Sequence, residues 1–169
     1  MQVHGGLVRV RDVGVLLLGA SGVGKSEIAL ELIARGHQLA ADDVVELRPE
    51  AGRLIGRARA PIRHFLEIRG LGILCIPDLY GERAVVDESA VDLVCKLETW
   101  RPGATYERVG LERARESLLG IELPAVVLPV RASANMATLV EAAVRDHVQR
   151  SRGPSGAARL DARLREEPR

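Results

Sequence analysis

Few patterns constrain a fold as tightly as the one centred on Gly19-Ala20-Ser21-Gly22-Val23-Gly24-Lys25-Ser26. The stretch fits G-x-x-x-x-G-K-[ST], the loop that cradles phosphate. Val13-Gly14-Val15-Leu16-Leu17-Leu18 precedes it, an apolar run of strand length. The stretch from Glu27 to Gly36 follows, with Ile28, Leu32 and Ile33, and Ala29 with Leu32, spaced for one helical face and Gly36 as the stop. Glycines 19, 22 and 24 let backbone N–H groups approach phosphate oxygens, and the helix turns its partly positive end to the same anion. Lys25 is placed to reach the β- and γ-phosphates, and the Ser26 hydroxyl to take a position on Mg²⁺. Gly19 to Ser26 as a whole therefore predicts a site for a nucleotide or another polyphosphate.

Strand, loop and helix in this order predict an α/β fold: a P-loop-containing mixed sheet with flanking helices. A chain of 169 residues can bury one substantial core, with the domain expected over residues 1–150. From Ser151 the mix of Gly, Pro, Ser and charge predicts a disordered tail over 151–169. A net charge of +1 gives no electrostatic footprint for nucleic acid, and an aromatic content of 2% leaves no base-stacking platform. Apolar runs are too short for a membrane span and the start reads as no secretory signal, so the expected compartment is the cytoplasm. Cys75 and Cys95 read as reduced thiols.

Leu7 to Arg11 alternates like a strand with one wet face, and Asp12 and Gly14 suggest a hairpin into the strand before the loop. After Gly36 the chain returns through His37 to Ala41 to Asp42-Asp43. Strands are then expected at Val44–Leu47, Arg53–Ala58, a buried Leu71–Ile76, Val91–Leu97 and Pro124–Val130. Helices are expected at Leu111–Leu119, ending at Gly120, and at Met136–Gln149, with Leu139, Ala142, Ala143 and Val144 on its inner face. Asp78 to Glu88 reads as turn.

Phosphoryl transfer needs a carboxylate to orient or deprotonate the attacking hydroxyl, and often a second to hold metal. Asp42 and Asp43 stand where the chain comes back to the sheet after the loop helix. On a strand the two would face opposite ways, and spacing leaves open which points at phosphate. Asp78, after an apolar run, is a weaker acidic candidate than Glu67. His4, near the terminus, reads alone as a solvated side chain, and His37, His64 and His147 have no metal-like spacing.

Several stretches together resemble the HPr kinase/phosphorylase family: Val3-His4-Gly5, Gly19 to Glu27, Arg35 to Asp43, Ile62 to Ile73, Tyr106-Glu107-Arg108-Val109-Gly110 and, more loosely, Pro129-Val130-Arg131. The resemblance implies a core like the nucleotide-binding part of phosphoenolpyruvate carboxykinase and a hexameric assembly. It implies transfer of the γ-phosphoryl of ATP to a serine of HPr, a phosphocarrier protein, or of a paralogue. The reverse reaction would use inorganic phosphate and release pyrophosphate, which makes pyrophosphate an alternative donor. By the same resemblance Lys25 binds phosphate, Ser26 and Glu67 hold Mg²⁺, and Asp43, with Asp42 beside it, is the general base. His4 and Arg108 match further catalytic positions, and Arg69 adds positive charge.

Two departures from the family pattern stand out. The segment that precedes this domain in the family is missing, so a short form with the catalytic domain alone is expected. The family's Pro-Val-Arg-Pro-Gly-Arg-Asn is here Pro129-Val130-Arg131-Ala132-Ser133-Ala134-Asn135, which lacks a cation and implies weakened phosphorylase activity. Competing readings are a nucleotide hydrolase acting as a switch, a small-molecule kinase and a non-catalytic nucleotide sensor. Asp42, Asp43 and Glu67 speak against the sensor.

Overall fold

The structure is a computed structural model that describes residues 1–131 and 133–166. β1 (Gln2–Val10) turns at Arg11-Asp12 into β2 (Val13–Gly19), and the glycine loop then leads into α1 (Lys25–Ala34). β3 (Gln38–Ala41), β4 (Val44–Glu50) and β5 (Arg53–Ala58) follow. After a 3₁₀ turn come β6 (Phe65–Ile68), β7 (Gly72–Cys75) and the short α2 (Ile76–Tyr80). The chain continues through β8 (Glu88–Ala90), β9 (Leu93–Thr99), β10 (Ala114–Leu118), β11 (Ile121–Val130), α3 (Met136–Arg152) and α4 (Gly156–Glu166).

Among the described residues nine strands form one mixed sheet in the order β10-β11-β9-β2-β1-β4-β5-β8, with β3 also on β1. β2, β9 and β11 are mutually parallel, and the other pairs are antiparallel. β2 is buried on both faces, which is why its sequence is a continuous apolar run rather than an alternating one. Val15 and Leu17 face a core shared with Ile28, Leu32, Val140 and Val144 of α1 and α3. Leu16 faces a second core with Leu7, Val94, Leu47 and Leu54. The sheet curls so far that β8 passes over the start of β2. A Cβ at Gly14 would stand 1.6 Å from the Ala90 carbonyl oxygen, so this crossing admits only glycine.

Four local expectations are corrected. Ala114–Leu118 is a strand, although Ala, Arg, Glu and Leu favour helix. Leu119 and Gly120, at φ of 51° and 74°, make a tight turn that pairs it with Ile121–Ala125, and pairing outweighs propensity. The run Leu71–Ile76 is not a buried strand: β7 pairs only with β6, in a separate ribbon, and Ile73 is 73% exposed. Pro77 lies in the first turn of α2, where its missing N–H costs nothing. On α3 the buried side is Met136, Ala137, Val140, Ala143 and Val144, while Leu139 and Ala142 face outward. The stretch after Ser151 is helical as far as Glu166: the Ser155 hydroxyl caps α4 through the Ala158 N–H, and Arg165 pairs with Asp161. No residue of α4 is buried, which is why its composition reads as tail.

Candidate active site

The phosphate loop takes its shape from both flanks. Val23 is buried in the α1 core and anchors the loop from below, its N–H bonded to the Ala20 carbonyl at 3.2 Å. Gly22 has a φ of 80°, and a Cβ there would meet the Arg69 guanidinium at 3.4 Å. Arg69, from the turn of the β6–β7 ribbon, therefore lies against the crest of the loop. Lys25, 7% exposed, donates to the Gly19 and Ala20 carbonyls at 2.9 and 3.0 Å. Burial pulls its ammonium below the ordinary value, while the carboxylates of Asp42, Asp43 and Glu27 act in the opposite sense.

The acidic couplet splits by orientation. Asp42 ends the return from β3 and is 6% exposed. Its two carboxylate oxygens lie 2.9 and 3.1 Å from the Ser26 hydroxyl. Burial raises its carboxyl above the ordinary value, against the Ser26 bond and the backbone amides of Asp43 and Glu67. Asp43 adopts a φ of 65°, a left-handed conformation Asp tolerates better than most residues, and turns its side chain outward to 65% exposure. Its carbonyl accepts from the Gly5 N–H at 3.0 Å, and its Oδ1 lies 3.1 Å from His4 Nδ1.

His4 is not ahead of the first strand, as its position suggests. β1 begins at Gln2 because its first residues pair with β4, His4 opposite Val44, and this pairing sets His4 beside the couplet. The β6–β7 ribbon supplies Glu67, whose neighbours Leu66 and Ile68 are buried. His4, Ser21, Gly22, Gly24, Lys25, Ser26, Asp42, Asp43, Glu67 and Arg69 thus line one cleft of about 170 Å³. Glu27 also lines it and was not singled out from the sequence, where its place directly after Ser26 is the only sign.

Arg108 is not in this cleft. It lines a separate groove with Val127 and Leu128 of β11 and Leu139 of α3, carried there by the long loop after Trp100. Asp78 sits in α2, apart from the cleft lining. In the departing segment, Arg131 stacks over Trp100 at 5.4 Å, and Asn135 caps α3 through the Thr138 N–H at 2.9 Å. Ala132 lies outside the described residues.

Among the described residues no group of three or more His, Cys, Asp or Glu side chains stands ready to hold a metal alone. The Ser26 hydroxyl and the Glu67 carboxylate are hard oxygen donors facing one cleft. That fits Mg²⁺, which keeps waters and substrate phosphates in its shell rather than a full protein cage.

A curled mixed sheet, a glycine loop closing on a buried lysine, and two carboxylates facing that loop define an α/β protein built to hold and act on phosphate. The chain belongs to the family described as HPr Serine kinase C-terminal domain, whose model matches residues 1–164. It is 48% identical over 165 residues to the HPr kinase/phosphorylase of Caldicellulosiruptor bescii, covering 97% of this chain and 53% of that protein. To the HPr kinase/phosphorylase of Geobacillus thermodenitrificans it is 49% identical over 163 residues, covering 96% of this chain and 53% of the relative. The solved structure of the Hpr(Ser) kinase/phosphatase from Coxiella burnetii matches with a TM-score of 0.83 at 33% identity, over 90% of this chain and 99% of that one. The chain spans about half the length of the curated relatives it matches. Among the described residues no helix is long and apolar enough to cross a membrane.

Proposed function

We propose that this chain is a protein-serine kinase unit that moves the γ-phosphoryl of ATP to a serine of HPr or an HPr-like phosphocarrier. The observation that carries the reading is the exposed Asp43 carboxylate, turned into the same cleft as Lys25 and the loop glycines and backed by His4. The incoming serine gives its proton to Asp43 as its oxygen bonds to the γ-phosphorus. The bond from that phosphorus to the β–γ bridging oxygen breaks, and ADP leaves with the electron pair. Lys25 and Arg69 offset the charge on the phosphates. Asp42 acts through Ser26, holding its hydroxyl in place. Mg²⁺, when bound through Ser26 and Glu67, would spread and neutralise phosphate charge.

In reverse, inorganic phosphate attacks phosphoserine, pyrophosphate forms, and Asp43 returns the proton to the serine oxygen. The same path run backward makes pyrophosphate a second donor. Ala132-Ser133-Ala134 offers no cation, so the reverse reaction is the weaker. Arg108 takes part only if its loop is carried to a cleft. Kinship with the phosphoenolpyruvate carboxykinase core, assembly as a hexamer and residence in the cytoplasm belong to the same reading.

The test is γ-labelled ATP with and without an HPr-like protein. Label on a carrier serine supports the kinase. Free phosphate alone, whether or not the carrier is present, replaces it with a hydrolase.

A further inference from the structure

The β6–β7 ribbon brings Glu67 and Arg69 to the phosphate cleft, yet its strands pair with each other and, among the described residues, with no strand of the main sheet. Leu66, Ile68 and Leu74 seat it on the α1 core. Apolar packing is non-directional, so it holds the ribbon down without fixing its place along the core. A directed contact stands at the root. Just before β6, His64 has a φ of 70°, a left-handed conformation rare outside glycine. Its carbonyl accepts the Ile76 N–H at 3.0 Å, closing the ribbon at its base. Its imidazole Nε2 is buried and, among the described residues, has no hydrogen-bond partner. Asp87 Oδ1 lies 3.2 Å from it, off the line of a hydrogen bond, and the same oxygen lies 3.4 Å from Arg63 Nη1. Two local costs thus meet at one residue, and such costs persist only where the surroundings impose them.

Asp87 belongs to the main sheet. Val86 before it donates its N–H to the Leu39 carbonyl of β3 at 2.9 Å, and Glu88 after it opens β8 opposite Arg57 of β5. β3 runs on into Asp42, which accepts from the Ser26 hydroxyl. The Asp87 carboxylate therefore reaches from the sheet that orients Ser26 to the root of the strand that carries Glu67, three residues beyond His64. We propose that Asp87 and His64 are positioning residues, a polar strut that keeps the Glu67 carboxylate turned to the cleft the Ser26 hydroxyl faces. The inference rests on the reading of Ser26 and Glu67 as Mg²⁺ donors and adds what holds them to one another. Neither Asp87 nor His64 lines the cleft, so their effect runs through the ribbon. Mg²⁺ tolerates little departure from its preferred geometry, which makes metal binding the property most sensitive to a displaced ribbon.

The experiment measures ATP binding by calorimetry, with Mg²⁺ and with EDTA, for the wild type, Asp87→Asn and His64→Gly. No acceptor is needed. The expected result is that the gain in affinity conferred by Mg²⁺ falls about tenfold in both variants, with metal-free affinity within about threefold of the wild type. Glycine is at ease at a φ of 70°, so His64→Gly removes the imidazole with the melting temperature unchanged or raised. A lost gain at undiminished stability is what a merely structural pair would not produce. Asp87→Glu keeps a carboxylate and is expected to bind like the wild type. Glu88→Gln breaks the neighbouring exposed pair with Arg48 and is expected to leave the gain intact. Should His64→Gly fail to fold, Asp87→Asn, at an exposed site, decides alone. An unchanged gain in Asp87→Asn overturns the strut and leaves Ser26 and Glu67 as metal donors. An equal loss in Glu88→Gln also overturns it, as an effect of surface charge. A wild type with no gain from Mg²⁺ overturns the metal reading and the strut together. Labelling of an HPr-like carrier by the wild type, followed separately, decides the kinase reading whatever the calorimetry shows.

Discussion

Asp42 and Asp43 are adjacent in the chain and opposite in environment, and the difference predicts different behaviour on neutralisation. Asp43→Asn keeps the shape and removes the proposed proton acceptor. The expected outcome is a fall in kcat of about a hundredfold or more with nucleotide affinity unchanged, read by transfer assay and calorimetry. Parallel loss of affinity would reassign Asp43 to a structural or metal-binding role. Asp42 is buried and its carboxyl is raised above the ordinary value, chiefly by desolvation. A carboxyl with a higher value folded than unfolded stabilises the fold below the unfolded value. That contribution is lost as pH rises through the folded value. Burial of the Asp42 carboxyl thus works against the fold as pH rises. Asp42→Asn is expected to raise the melting temperature by a few degrees near neutrality, the gain vanishing towards about pH 4, while transfer is impaired. Lys25→Ala should abolish transfer with an unchanged circular dichroism spectrum; full activity would remove the phosphate role.

Elements in this protein are held less by propensity than by what they are paired with. The clearest case is the joint between α1 and α3. Arg35, at the end of α1, donates to Glu31, Asn135, Thr138 and Glu141, and His37 lies 2.8 Å from Glu141. The helix that begins at the phosphate loop is thereby tied at its far end to the start of α3. Asn135 serves both sides, capping α3 and accepting from Arg35. Asn135→Ala is expected to cost about 1 kcal/mol, seen as a lower urea midpoint. Hydrogen bonds from His37 and Arg35 hold the Glu141 carboxyl below the ordinary carboxylate value. That part of the joint is present above the unfolded value and is lost as pH falls through the folded one. The same priority of pairing explains β10: read alone, Ala114–Leu118 has the composition of a helix, and only its partner across the Leu119-Gly120 turn makes it a strand.

Across the whole molecule, curling of the sheet brings strands distant in sequence into contact. Gly14 meets Ala90 where β2 passes beneath β8, and Asp92 donates its N–H to the Gly14 carbonyl at 2.8 Å while its side chain accepts the Gly14 N–H at 2.9 Å. Gly14→Ala must push one strand off the other. The expected cost is about 3 kcal/mol or more, checked by soluble yield and urea denaturation. Legible in advance were the loop, its strand and helix, the β4–β5 hairpin, β9 and most of α3, each carried by a local period or by glycine chemistry. Membership of the family was legible too, because its motifs are runs of adjacent residues. Four features were not legible: the place of His4 inside β1, the separate ribbon that carries Glu67 and Arg69, the remoteness of Arg108, and which of Asp42 and Asp43 is buried on Ser26 and which turns outward. His4 is placed by its register opposite Val44, Glu67 and Arg69 by the pairing of the β6–β7 ribbon, Arg108 by its long loop, and the couplet by the left-handed turn at Asp43. A phosphate loop is written in eight consecutive residues because its backbone binds the anion. The cleft around that loop is assembled by long-range hydrogen bonds and packing, which adjacent letters do not encode.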